Sequence, residues 1–245
     1  MSLKYQTDDL DEQIDSSEAV SAPPIPLPLY TVILIAAIVA VAAVQIGTGL
    51  EASIIAAGFD KPVFLQKNEY WRILTGATLH GSVLHAAMNC YAFYSFGKIF
   101  EMLSNRAHLA TVFLLSAIGG GVLSLIFVPD GISVGASGGI VGLVSYLAIY
   151  AFRRRQFISA EFRKSLLINI GFILVFGIVL FQQIDNFGHI GGLITGAIYG
   201  LLQIPSDEYA DPRAAGPAVE AVGLASLGIY LAACGFSILL ILRVI

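Results

Sequence analysis

Charge is what this chain of 245 residues has least of. Asp, Glu, Lys and Arg together make up 12% of it, about half the share of a soluble domain, while 57% is hydrophobic. That balance excludes a soluble globular fold and points to an integral membrane protein. Only two cysteines are present, Cys90 and Cys234, both inside apolar stretches, which excludes a disulfide framework. No basic patch with interleaved aromatics occurs, so nucleic acid is not an expected partner. A secretory signal is missing as well. The start of the chain carries Asp8, Asp9, Asp11, Glu12, Asp15 and Glu18 where a signal would be basic and then apolar. The net charge of −4 comes largely from this tail and says little about partners.

What the chain does have is seven apolar runs of helical membrane-crossing length: Leu29–Ile46, Ser82–Phe100, Leu109–Val128, Ser137–Phe152, Leu166–Phe181, Phe187–Leu202 and Val219–Leu242. The expected fold is all-α and polytopic. Residues 1–28, acidic and then Pro-rich, read as a flexible tail. The fourth to sixth runs are short and glycine-rich, which suits helices enclosed by others. Arg153, Arg154, Arg155, Arg163 and Lys164 mark the connection between the fourth and fifth runs as cytoplasmic. The N-terminus then lies in the cytoplasm, and the fourth run starts on the outer side. The absence of a targeting peptide favours a bacterial plasma membrane. The long connection Gly47–Gly81 falls outside and carries many apolar residues, with Tyr70 and Trp71 suited to the headgroup level.

Polar residues are rare enough in these runs to be conspicuous. The second begins after His80 and contains His85 and Asn89, which share a helix face at a spacing of four. The fourth opens on Gly135-Ala136-Ser137-Gly138, where the small neighbours leave a hydroxyl open at a helix N-terminus. The sixth carries His189, Gly192 and Gly196 on one stripe, and glycines there allow a neighbouring backbone to approach. Gly138 and Gly142 offer a matching edge. If the edges meet, His189 can take the proton of Ser137, as a nucleophilic serine requires. The Ser137 N–H, Asn89 and His85 are candidate donors to a developing oxyanion. No acidic orienter for His189 is evident, since Asp185, one turn earlier, suits the wet end of the helix. Each residue alone is more often packing than chemistry; it is their convergence on three segments that argues for a site. His80, Ser82 and Thr78 are candidates to line a water path. A zinc site built from His80, His85, His189 and Cys90 lacks a carboxylate or second thiol within the helix, so no metal is expected.

Together these motifs resemble the rhomboid family of intramembrane serine proteases, through a core from about Leu29 to Gln203. The matching residues are Trp71-Arg72, then His80, His85 and Asn89, then Gly135 to Gly138, then His189, Gly192 and Gly196. The resemblance implies a Ser137–His189 dyad, an oxyanion hole from the Ser137 N–H, Asn89 and His85, and supporting roles for His80, Trp71, Arg72 and the glycines. It also implies a membrane-embedded loop over Gly47–Gly81 and transmembrane proteins as substrates, with no cofactor. Many relatives carry an aromatic residue one turn after the serine, where this chain has Val141. The run Val219–Leu242, reached through a polar loop in residues 204–245, looks like the additional C-terminal helix of some members beyond the six-helix core of 29–203. A relative without catalytic activity that binds transmembrane helices is the alternative.

Overall fold

A computed structural model describes residues 27–180, 184–207 and 209–244; most of the expected acidic tail lies outside these residues. Each of the seven apolar runs forms a helix. α1 (Leu29–Thr48) leads into a connection that is far from shapeless, holding α2 (Leu50–Ala57), β1 (Phe59–Asp60), α3 (Lys61–Gln66), α4 (Arg72–Thr75) and a 3-10 turn over Gly76–Thr78. α5 (Val83–Leu103) and α6 (Arg106–Phe127) follow, then β2 (Ile132–Ser133), α7 (Ser137–Arg153), α8 (Ala160–Val179), α9 (Asn186–Gln203) and α10 (Pro217–Ile241). The fold is all-α apart from one antiparallel pairing of two-residue strands, Phe59 with Ser133 and Asp60 with Ile132. That pairing fastens the α1–α5 connection to the turn that precedes Ser137.

By length and composition α1, α6, α8 and α10 are apolar enough to cross a bilayer. The three that fall short of that measure, α5, α7 and α9, are the ones that carry Asn89, Ser137 and His189. α7 falls short by length, at 17 residues, and is itself apolar. α6, α7 and α9 form the tight centre of the bundle. Their contact is made by absent side chains. A methyl on Gly192 would strike the Gly138 carbonyl oxygen, one on Gly196 would strike that of Gly142, and one on Gly142 would strike the Ser116 side chain. α6 joins in with Gly119 and Gly120, against Thr195 and the Gly188 carbonyl. Lipid offers helices little hydrophobic reason to associate, so close backbone approach of this kind is what holds them.

The expected enclosure of the fourth to sixth runs holds for one helix in full. α7 is buried from Gly139 through Ala148. α9 buries its glycine face but exposes Ile194, Ile198 and Leu202 on the other. α8 departs from the expectation: it is 20 residues long, and only Leu166 and Gly177 are buried. Its two glycines, Gly171 and Gly177, are too few to make a packing edge, and Gly171 has nothing near it. α10 sits against both α1 and α6. Gly223 lets it close on Ala107, and Tyr230 and Ser237 are fully buried.

At the end of the bundle away from Ser137, the arginines also do mechanical work. Arg153 donates to the Ile204 carbonyl at 2.5 Å, and buried Arg154 donates to the Ala210 carbonyl at 3.2 Å. They tie the end of α7 to the chain leaving α9 by giving two of its carbonyls charged donors.

Candidate active site

The turn before α7 is fixed by backbone constraints. Gly135 has φ of +131°, a region that side-chain-bearing residues rarely adopt. Its N–H donates to the Gly76 carbonyl of the 3-10 turn at 3.0 Å. A methyl there would also lie 2.9 Å from Cε1 of His85, so the imidazole stands directly over this glycine. Ser137 then begins α7, where the first N–H groups have no partners within the helix.

Across the bundle, Asp185 caps α9 by accepting from the Gly188 N–H at 2.8 Å, and this sets where the helix starts. Its other oxygen accepts from the hydroxyls of Ser124 and Ser133, and Lys61 Nζ lies 4.0 Å away. Asp185 is therefore engaged with three other elements and not with the ring of His189, whose backbone N–H alone meets it, at its carbonyl. With the cap set at Asp185 and the glycine stripe pressed on α7, His189 Nε2 comes to 2.9 Å from Ser137 Oγ. The two residues are 52 positions apart in sequence. Nδ1 of His189 is buried with no hydrogen-bond partner among the described residues. Val141 fills the space beside Gly192, one turn along from His189.

α5 supplies the opposite wall. Ser82 caps it by accepting from the His85 N–H at 3.0 Å. Asn89, buried, donates to the His85 carbonyl at 2.9 Å, while its side-chain oxygen has no partner among the described residues. His80 is 1% exposed, and among the described residues both of its ring nitrogens lack partners. Its backbone is held from α1, where Gln45 both accepts from the His80 N–H and donates to the His80 carbonyl. Nothing in a periodicity argument singled out Gln45; the available signal was an amide in an otherwise apolar run. Of the residues expected to line a water path, Thr78 is buried and Ser82 is exposed. Thr78 is fully buried and bonded to the Thr75 carbonyl and Ser237, and Ser82 is the α5 cap. A cavity of about 50 Å³ opens beside the pair, bordered by Gly120, Ser133, Gly135, Ser137, Asp185 and His189. That is room enough for water.

The connection ahead of α5 is braced by Arg72. Its guanidinium donates to Glu69 at 2.6 Å and to the Gly58 carbonyl at 2.8 Å, and it lies 4.7 Å from the centre of the Trp71 ring. Trp71 in turn meets Phe236 of α10 edge-on. Tyr70 is exposed.

A family model described as the Rhomboid domain matches residues 67–206 of this chain, which contain Ser137, His189, His85 and Asn89. The chain belongs to the rhomboid family. Among curated relatives it is similar to RHOMBOID-like protein 6, mitochondrial, of Arabidopsis thaliana, with 33% identity over 140 residues, 56% of this chain and 45% of that protein. It is similar to Rhomboid protease GluP of Bacillus subtilis (strain 168), with 33% identity over 144 residues, 59% of this chain and 28% of that one. It is also similar to Inactive rhomboid protein 1 of Bos taurus, with 29% identity over 140 residues, 56% of this chain and 16% of that protein. The matched region spans less than half of each of these relatives. Family membership and the apolar helices together make this a multi-pass integral membrane protein of rhomboid fold.

Proposed function

We propose that this rhomboid hydrolyses peptide bonds in or beside transmembrane segments of membrane proteins, with Ser137 as nucleophile and His189 as base. The observation that carries the reading is the 2.9 Å approach of His189 Nε2 to Ser137 Oγ. In the proposed reaction Ser137 Oγ attacks the scissile carbonyl and its proton passes to Nε2. That proton then goes to the leaving amine, and water hydrolyses the acyl-enzyme with His189 again as base. The Ser137 N–H, His85 and Asn89 are the donors assigned to the oxyanion. His85 stands over Gly135, next to where that charge would form, which supports its assignment. The cavity beside the pair supplies room for the deacylating water. Because a helical carbonyl is already hydrogen-bonded, the favoured substrate is a transmembrane helix that unwinds readily near one end.

We further propose that the N-terminus is cytoplasmic and the Ser137 end of the bundle faces the outer side of a bacterial plasma membrane. The support is the basic cluster at the other end, Arg153 to Arg155 with Arg163 and Lys164. Relatives named as a protease and as inactive both match this chain, so activity has to be measured. The test is cleavage of a transmembrane reporter and fluorophosphonate labelling by the wild type, Ser137→Ala and His189→Ala. Loss of both signals in each variant, with the protein still folded, supports the dyad. Cleavage retained by Ser137→Ala overturns it, and an inert wild type favours the helix-binding reading.

A further inference from the structure

α10 lies outside the family match, yet it reaches the site by a short relay. The 3-10 turn Gly76–Thr78 is the intermediary. Tyr230 donates its hydroxyl to the Ala77 carbonyl at 3.0 Å, and Ser237 Oγ lies 2.9 Å from Thr78 Oγ1. Tyr230, Ser237 and Thr78 are each fully buried, away from competing water. The Ser237 and Thr78 hydroxyls also face the Ala233 and Thr75 carbonyls, so one proton bridges the two hydroxyls while the other goes to a carbonyl. From the same turn, the Gly76 carbonyl receives the Gly135 N–H at 3.0 Å. The turn cannot slip elsewhere. A side chain at Gly76 would meet the Phe59 backbone and the Ser133 carbonyl, so it is wedged between the β1–β2 pairing and α10. The Trp71–Phe236 contact and the closure of Gly223 on Ala107 fix α10 against the loop at one end and α6 at the other.

We infer that α10 is part of the catalytic scaffold: through Tyr230 and Ser237 it seats the 3-10 turn whose Gly76 carbonyl holds Gly135, and so sets the angle at which Ser137 and its N–H are presented. Tyr230 and Ser237 are positioning residues and touch no reacting atom. The inference rests on the dyad proposed above for its kinetic consequence but not for its structural one.

The experiment uses full-length protein in detergent, comparing the wild type with Tyr230→Phe, Ser237→Ala and the double variant. Amide hydrogen exchange is followed over residues 130–140. The expected result is faster exchange at Gly135 in the double variant, with the interior of α7 still protected. Unchanged exchange there overturns the inference whatever the activity. In parallel, reporter cleavage is measured per folded molecule. The double variant is expected to lose about tenfold or more in kcat with KM little changed, as misorientation of a reacting group produces. Ser237→Thr, which keeps the hydroxyl, is expected to restore most of the Ser237→Ala loss. A loss wholly accounted for by less folded protein, or no rescue by threonine, also overturns it. If the wild type proves inert, the dyad reading fails and the exchange measurement still decides the role of α10.

Discussion

Gly192 of α9 lies against the Gly138 carbonyl of α7 so closely that no side chain fits between them. Gly138 itself is under less pressure: a methyl there would sit at 3.5 Å from the Gly188 carbonyl and 3.6 Å from that of Ser116, ordinary contact distances. The near approach of the two helices therefore depends on α9's glycines more than on the one following the serine. Gly192→Ala is expected to lower stability by about 3 kcal/mol or more through overpacking and to separate His189 from Ser137. Gly138→Ala is expected to stay within about 1 kcal/mol of the wild type. Thermal unfolding of both variants in detergent checks this, and equal losses would contradict it.

Gly135 faces two constraints at once, a positive φ and the His85 ring above it. Gly135→Ala should leave the bundle folded, since no core side chain is disturbed, but should push the turn and His85 apart. Fluorophosphonate labelling of Ser137 is expected to slow by about a hundredfold.

Lys61 gives a pH signature outside the membrane-spanning helices. Burial pulls its ammonium group below the usual lysine range, and the Asp185 carboxylate only partly offsets this. A lysine whose folded value is lowered binds its proton more weakly in the native state than in the unfolded one. Stability should therefore rise with pH between that lowered value and the ordinary lysine value of 10.5, because the unfolded chain holds more protons there. Lys61→Met removes the effect: unfolding curves from pH 7 to 10 should show the wild type gaining on the variant as pH increases.

Arg72 uses the fork geometry that lysine lacks, reaching Glu69 and the Gly58 carbonyl together while stacking on Trp71. Arg72→Lys is expected to cost about 2 kcal/mol, read by thermal unfolding, and to loosen the α1–α5 connection. No change in melting temperature would show the brace to be dispensable.

All seven apolar runs were readable as helices because hydropathy reports what solvent a segment prefers. Neighbours were harder, since lipid and protein interior look alike to an apolar side chain. The His189–Gly192–Gly196 stripe pointed to α7 because glycines are a steric signal. The equally close part played by Gly119 and Gly120 of α6 went unread, though the same rule applied to Gly119-Gly120-Gly121. α8 reads like an enclosed helix by composition yet packs along little of its length. The small helices between α1 and α5 follow no amphipathic period, being covered by Arg72, the strand pairing and α10 in place of a core of their own. Gln45, Tyr230 and Ser237 act through backbone carbonyls or a neighbouring hydroxyl, and such partners leave no trace in side-chain spacing. The place of Asp185 at the start of α9 was legible, since it stands at the cap position just ahead of the helix.

The Tyr230 bond to Ala77 spans 153 positions. Synthesis runs from the N-terminus, so a growing chain carries both Ser137 and His189 before α10 has left the ribosome. Until α10 inserts, the turn over Gly76–Thr78 lacks the Tyr230 and Ser237 contacts on that side. Chain order then separates the two in time: the proposed dyad is made first, and the helix proposed to brace it follows.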